Sequence, residues 1–85
     1  MFKAEIHNDT TDDILTMADL KPCQLAVVVE DNNYRGTIVM RTASISQFEV
    51  MDLSNPGEDN CWTGKGNWMR LRLLPKGTKV TLTVI

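Results

Sequence analysis

Trp62, Lys65, Trp68, Arg70 and Arg72 crowd into one short stretch, "CWTGKGNWMRLR" at residues 61–72. Flat aromatic faces beside cations suit a nucleotide, whose base stacks on the ring while its phosphate pairs with lysine or arginine. On a strand Arg70 and Arg72 point the same way, so the two can act as a two-pronged anion clamp. Tyr34 and Arg35, in the turn-rich "DNNYRG", add a second aromatic–cation pair, and Arg41 is a further cation. The structural alternative is equally concrete: a tryptophan anchors the core, and the arginines pair with Glu49 or Asp52 on a neighbouring strand.

Other chemistries find less support. The single histidine, His7, lies on an alternating segment far in sequence from Cys61, and no nucleophile motif flanks either residue. "HNDTTDD" gathers His7, Asp9, Asp12 and Asp13, yet lacks the calcium-loop pattern, and Cys23 and Cys61 lack zinc spacing. It reads as a solvated, cap-forming turn, so no metal and no cofactor are expected. In "TGKGN" the glycines precede a strand, whereas the phosphate-loop and dinucleotide motifs open a helix. Such a loop still lets backbone amides approach an anion closely. With no catalytic constellation beside it, the aromatic–cation site would hold a ligand without transforming it. A binding protein is expected, not an enzyme.

Charge divides the chain sharply. Residues 1–61 hold four cations and eleven acids, a net of −7, whereas residues 62–85 hold five cations and no acid, a net of +5. The total of −2 argues against general affinity for long nucleic acids, which rests on many phosphate contacts at once. The division points instead to a local anion site or to faces that attract one another. No stretch approaches the ~20 apolar residues needed to span a bilayer, and the start "MFKAEIHNDTTDD" carries no export-signal core. Two cysteines without a signal read as reduced thiols, so a cytoplasmic protein without membrane contact is expected.

The elements that must position these residues are strands. "FKAEIH" alternates with period two. "QLAVVVE" (24–30) is β-branched and almost continuously apolar, which predicts burial on both faces. "DNNYRG" links it as a hairpin to "TIVMRTA" (37–43). "SQFEVMDL" (46–53) sets Phe48, Val50 and Asp52 against Glu49 and Met51. "WMRLRLLP" (68–75) sets Met69, Leu71 and Leu73 against Arg70 and Arg72. After the tight turn "PKGT", "KVTLTVI" (79–85) alternates again. "DDILTMADL" offers at most one short helix near residues 12–20, stopped by Pro22. The reading is therefore all-β: one domain over residues 1–85, a small antiparallel barrel or sandwich of about six short strands. A domain this small has thin stability and often supplements it by self-association, so a homo-oligomer is expected, with Ile85 covered by the same chain or by a second subunit.

The run "DLKPCQLAVVVED…YRGTIVMRT…FEVMDLSNPG…CW…RLLPKGTKVTLTV", over residues 19–85, resembles small phage-encoded β proteins that carry a Lys-Pro-Gly-Gln step before a strand and end in a Leu-Pro-Gly-Thr strand turn. Among such proteins are the anti-CBASS sponges. The resemblance implies immune evasion in the host cytoplasm by an oligomer that sequesters a cyclic (di)nucleotide signal without cleaving it. Two positions depart from the pattern. Cys23 stands where glycine is expected, and Lys76 is inserted before Gly77, while Pro22 and Gly77 remain. No ligand residues carry over from the resemblance, so the expected site is the chain's own group: Trp62, Lys65, Trp68, Arg70, Arg72, Tyr34 and Arg35. Two other classes compete. One is a phage inhibitor or accessory protein that contacts a host protein through the acidic surface, and the other is a structural virion component.

Overall fold

The computed structural model describes residues 2–6, 14–31, 33–44, 49–54, 61–63 and 69–85. Among these residues eight strands form two antiparallel sheets. β1 (Phe2–Ile6) and β8 (Val80–Val84) make a two-stranded ribbon. The larger sheet runs in the order β2 (Ile14–Leu15), β7 (Arg70–Leu73), β3 (Leu25–Glu30), β4 (Ile38–Arg41), β5 (Val50–Asp52) and β6 (Cys61–Trp62). The radius of gyration, 11.7 Å, matches the ~12 Å of a folded chain of this length.

Alternation along the strands builds the core. In register, Ala26 faces Val39, Val28 faces Leu71 and Arg41 faces Val50. Ala26, Val28, Val39, Val50 and Leu71 accordingly lie on one face, and none is more than 1% exposed. Removing each valine or leucine side chain from water contributes roughly 1.5–3 kcal/mol. Met17 and Leu20 close over this face, and Leu15, Tyr34, Trp62 and Leu73 pack around its rim. The opposite face carries Leu25, Val27, Met40 and Met51, all half-buried. The two-faced burial expected of β3 is thus complete on one side and partial on the other.

The helix expected near residues 12–20 is a single 3-10 turn, Met17–Asp19. Ile14 and Leu15 pair instead with Arg72 and Leu71 of β7, so strand pairing overrides helix propensity there. The cap-forming "HNDTTDD" turn expected before the helix lies outside the described residues. Before β3, the N–H of Gln24 donates to the carbonyl of Lys21 at 3.0 Å, and Cys23 sits at φ +69°. This is the left-handed third position of a turn with Pro22 second, where glycine is the ordinary occupant. The "PKGT" turn also forms, with the N–H of Thr78 donating to the Pro75 carbonyl at 3.0 Å and Gly77 at φ +92°. It acts as a corner between sheets, because β8 leaves β7 and pairs with β1.

Candidate functional site

The residues of the "DNNYRG" loop are held by one side chain. The Asp31 carboxylate accepts from the N–H of Asn33 at 2.9 Å and from that of Tyr34 at 3.0 Å, a local bond pattern that aspartate favours in turns. The next turn closes with the N–H of Thr37 donating to the Tyr34 carbonyl at 2.9 Å, and Gly36 takes φ +87° at the position that demands a residue without a Cβ. The N–H of Gly36 then donates to Val28 at 2.7 Å, which ties the tip back to β3. Two neighbouring residues are thereby sent to different places. Tyr34 packs against the core, edge-on to Trp62 with ring centroids 5.0 Å apart. Arg35 is exposed and lines a cleft.

That cleft, about 390 Å³, lies where the ribbon approaches the β3–β4 turn. Lys3 and Ala4 of β1 line it together with Arg35, Gly36, Thr37 and Ile38, and Ser54 and Ile85 complete it. Ile38 is only 4% exposed and gives an apolar floor. Ser54 is positioned by Asp52, a buried carboxylate at the end of β5 that accepts from the Ser54 N–H at 2.9 Å and from its hydroxyl at 2.8 Å. The lining thus offers two cations and two hydroxyl residues over apolar side chains, and no acidic side chain among the described residues. Glu5 competes for one of the cations, its carboxylate standing 3.2 Å from the Lys3 ammonium. Both partners are well exposed, and such a pair contributes at most about 1 kcal/mol, so an incoming phosphate can displace it. A second cleft of about 300 Å³ beside the Pro75–Gly77 corner has one cation, Lys76, among mainly apolar walls.

The residues expected to form a site from sequence are distributed differently. Among the described ones, Arg35 alone reaches the cleft. Tyr34 and Trp62 come together, but their contact is with each other and with the core rim. Arg70 and Arg72 share the face of β7 opposite Leu71, as the strand pattern predicts, with Arg70 exposed opposite Glu30 and Arg72 half-buried between Val27 and Ile14. Lys65 and Trp68 lie outside the described residues, as do His7, Asp9, Asp12 and Asp13. Glu49 pairs with Arg41, at 2.8 Å and with both side chains largely buried, which is the structural alternative realised with a different arginine. Cys23 and Cys61 are both free thiols.

Lys3, Thr37 and Ser54 had no signal in the sequence. They are far apart along the chain, and both cations of the cleft come from its acid-rich part. Only the pairing of β1 with β8 and the turn after β5 bring them to one place. Ile85, expected to be covered by the same chain or by a second subunit, is 81% exposed within this chain, and Val84 is 78% exposed. No helix among the described residues is long and apolar enough to cross a membrane. Comparison with known proteins finds no matching family model, no similar curated protein and no similar solved structure.

Proposed function

We propose that this protein binds a phosphate-bearing small ligand in the Lys3–Arg35 cleft and holds it without chemical change, with a cyclic nucleotide as the ligand class. The observation that carries the reading is the pairing of Lys3 with Arg35 in a cleft whose described lining has no acidic side chain. Charge-assisted bonds from a lysine and an arginine are the usual means of gripping a phosphate. Thr37 and Ser54 supply hydroxyls for sugar or phosphate oxygens, and Ile38 and Ile85 an apolar contact for a base. At about 390 Å³ the cleft is at the small end of ligand sites, which span about 300–1,000 Å³. It therefore suits one nucleotide unit, and a cyclic dinucleotide would extend beyond it. Sequestration by mass action, in the host cytoplasm if the chain is phage-encoded, follows from holding without turnover.

A structural role in an assembly is favoured by one observation, the exposure of Leu82, Val84 and Ile85 along β8.

The deciding experiment is a thermal-shift and calorimetric screen against cyclic mononucleotides, cyclic dinucleotides and linear nucleotides, with recovery of the ligand by mass spectrometry. Binding at a hundred times the dissociation constant stabilises the fold by ~2.7 kcal/mol. One nucleotide class should bind and return intact, and Arg35→Ala should weaken it by roughly tenfold or more, about 1.4 kcal/mol. Silence across the panel sinks the reading, and a converted ligand replaces holding with catalysis.

A further inference from the structure

The β1–β8 ribbon is open in an unusual way. Thr81, Leu82, Thr83 and Val84 are all exposed, and because successive residues of a strand point to opposite faces, neither face of β8 is covered by the described residues. Leu82 is 45% exposed and Val84 78%. Two strands alone are marginally stable in water, whereas three or more with a hydrophobic face are not. Among the described residues β1 pairs only with β8, so its other edge presents backbone groups that no described strand pairs, a template for another strand.

The charges on that edge select the strand. Register with β8 sets Ala4 opposite Leu82 on the apolar side of the ribbon, and Lys3 and Glu5 opposite Thr83 and Thr81 on the polar side. Antiparallel pairing of β1 with a second β1 can keep the apolar positions on one side in three central registers. Centred on Lys3 it sets lysine against lysine, and centred on Glu5 it sets glutamate against glutamate. Centred on Ala4 it sets Lys3 against Glu5 of the second copy, twice over by the two-fold symmetry. Like charges directly opposite destabilise a sheet and opposite charges stabilise it. The Lys3–Glu5 contact of 3.2 Å within one strand already shows both groups on one side and within reach of each other. Lysine on an edge strand ordinarily discourages pairing, and a glutamate two residues on makes the edge self-complementary.

From this register and charge pattern we infer that the chain self-associates edge to edge through β1, centred on Ala4, into a continuous four-stranded sheet β8–β1–β1–β8 across a two-fold axis. The occupant of the edge is a second copy of this chain. Isologous closure of this kind stops at a dimer. One strand pair buries far less than the ~800 Å² per partner of a standard interface, so the association is weak, micromolar or weaker. The inference needs no ligand, but it engages the same Lys3 that the nucleotide reading assigns to phosphate, so association is measured without nucleotide.

Sedimentation velocity over a concentration series, with folding confirmed by circular dichroism, tests it. The wild type should show a concentration-dependent dimer. Lys3→Glu and Glu5→Lys should each weaken it by roughly tenfold or more, since each converts both cross-strand pairs to like charges. The double swap Lys3→Glu/Glu5→Lys should recover it. Should the single reversals fail to fold, Ala4→Cys in a Cys23→Ser/Cys61→Ser background decides. Opposed strand residues are about 4.5–5.5 Å apart at Cα, within disulfide reach, so the covalent dimer should form under mild oxidation. A wild type monomeric at all concentrations, reversals without effect, a swap that does not rescue, or no Ala4→Cys cross-link would each overturn the proposal.

Discussion

Replacing Cys23 with glycine should stabilise this protein. Cys23 occupies φ +69° and is exposed, so its side chain contributes little burial to offset the backbone cost. The left-handed conformation costs an L-residue roughly 1–2 kcal/mol, because its Cβ crowds the following carbonyl. The conformation is pinned from both sides. The Cys23 N–H donates to the Arg41 carbonyl at 2.8 Å, and the Gln24 N–H closes the turn onto Lys21 at 3.0 Å. Glycine removes the crowding but loses more backbone entropy on folding, which takes back about 0.4–1 kcal/mol. The net gain is about 0.5–1 kcal/mol, or roughly 2–8 °C in melting temperature for a domain of this size. Urea unfolding and thermal melts under reductant read it directly, with Cys23→Ala as the control that keeps the Cβ and should not gain. A Cys23→Gly variant no more stable than Cys23→Ala would refute the strain argument and place the turn's stability in its hydrogen bonds alone.

Two further outcomes follow from the side-chain bonds. Glu49→Ala should cost about 1–3 kcal/mol in denaturant unfolding, because it strands the largely buried Arg41 guanidinium that it now meets at 2.8 Å; an unchanged midpoint would show that Arg41 is solvated or re-paired. Asp19 is held below its ordinary carboxylate range of 3.8, first by the Thr16 N–H and then by the Thr16 hydroxyl. Its folded value lies under its unfolded one, so its contribution is present above about pH 4 and fades as pH falls through the folded value. Melts of wild type and Asp19→Asn should therefore differ at neutral pH and converge in acid, and a gap that persists in acid would remove the carboxylate as its cause.

Much of the architecture was legible along the chain because its cause is local. A period of two in "VMD" and "RLRL" reports a strand with one face turned to the core, and Leu71 and Val50 indeed lie at zero exposure while Arg70 faces out; the same period in "VTLTV" makes a strand, but with Leu82 and Val84 left exposed. Turn chemistry was equally local. The mismatch of a cysteine in "KPCQ" and the glycines of "YRG" and "PKG" mark the three positive-φ positions of the described chain, Cys23, Gly36 and Gly77. The two-residue strands β2 and β6 escaped notice, since Ile14–Leu15 and Cys61–Trp62 are too short for a period and exist only through their partners. The short helix expected near residues 12–20 shrank for the same reason.

The candidate site was the least legible part. Trp62 and Tyr34 are conspicuous in sequence as aromatic residues beside cations, yet their rings contact each other and the core rim. Lys3 and Ser54 are inconspicuous, and they meet Arg35 only because one strand from each end of the chain forms a ribbon beside the β3–β4 turn. The alternation of apolar and polar residues was sufficient for strands, turns and the all-β class, because each depends on a residue and its near neighbours. Strand order, the corner that sends β8 to β1, and the meeting of two cations in one cleft were decided in three dimensions. Each depends on pairing between residues many positions apart, and no local pattern encodes which distant edge a strand will find.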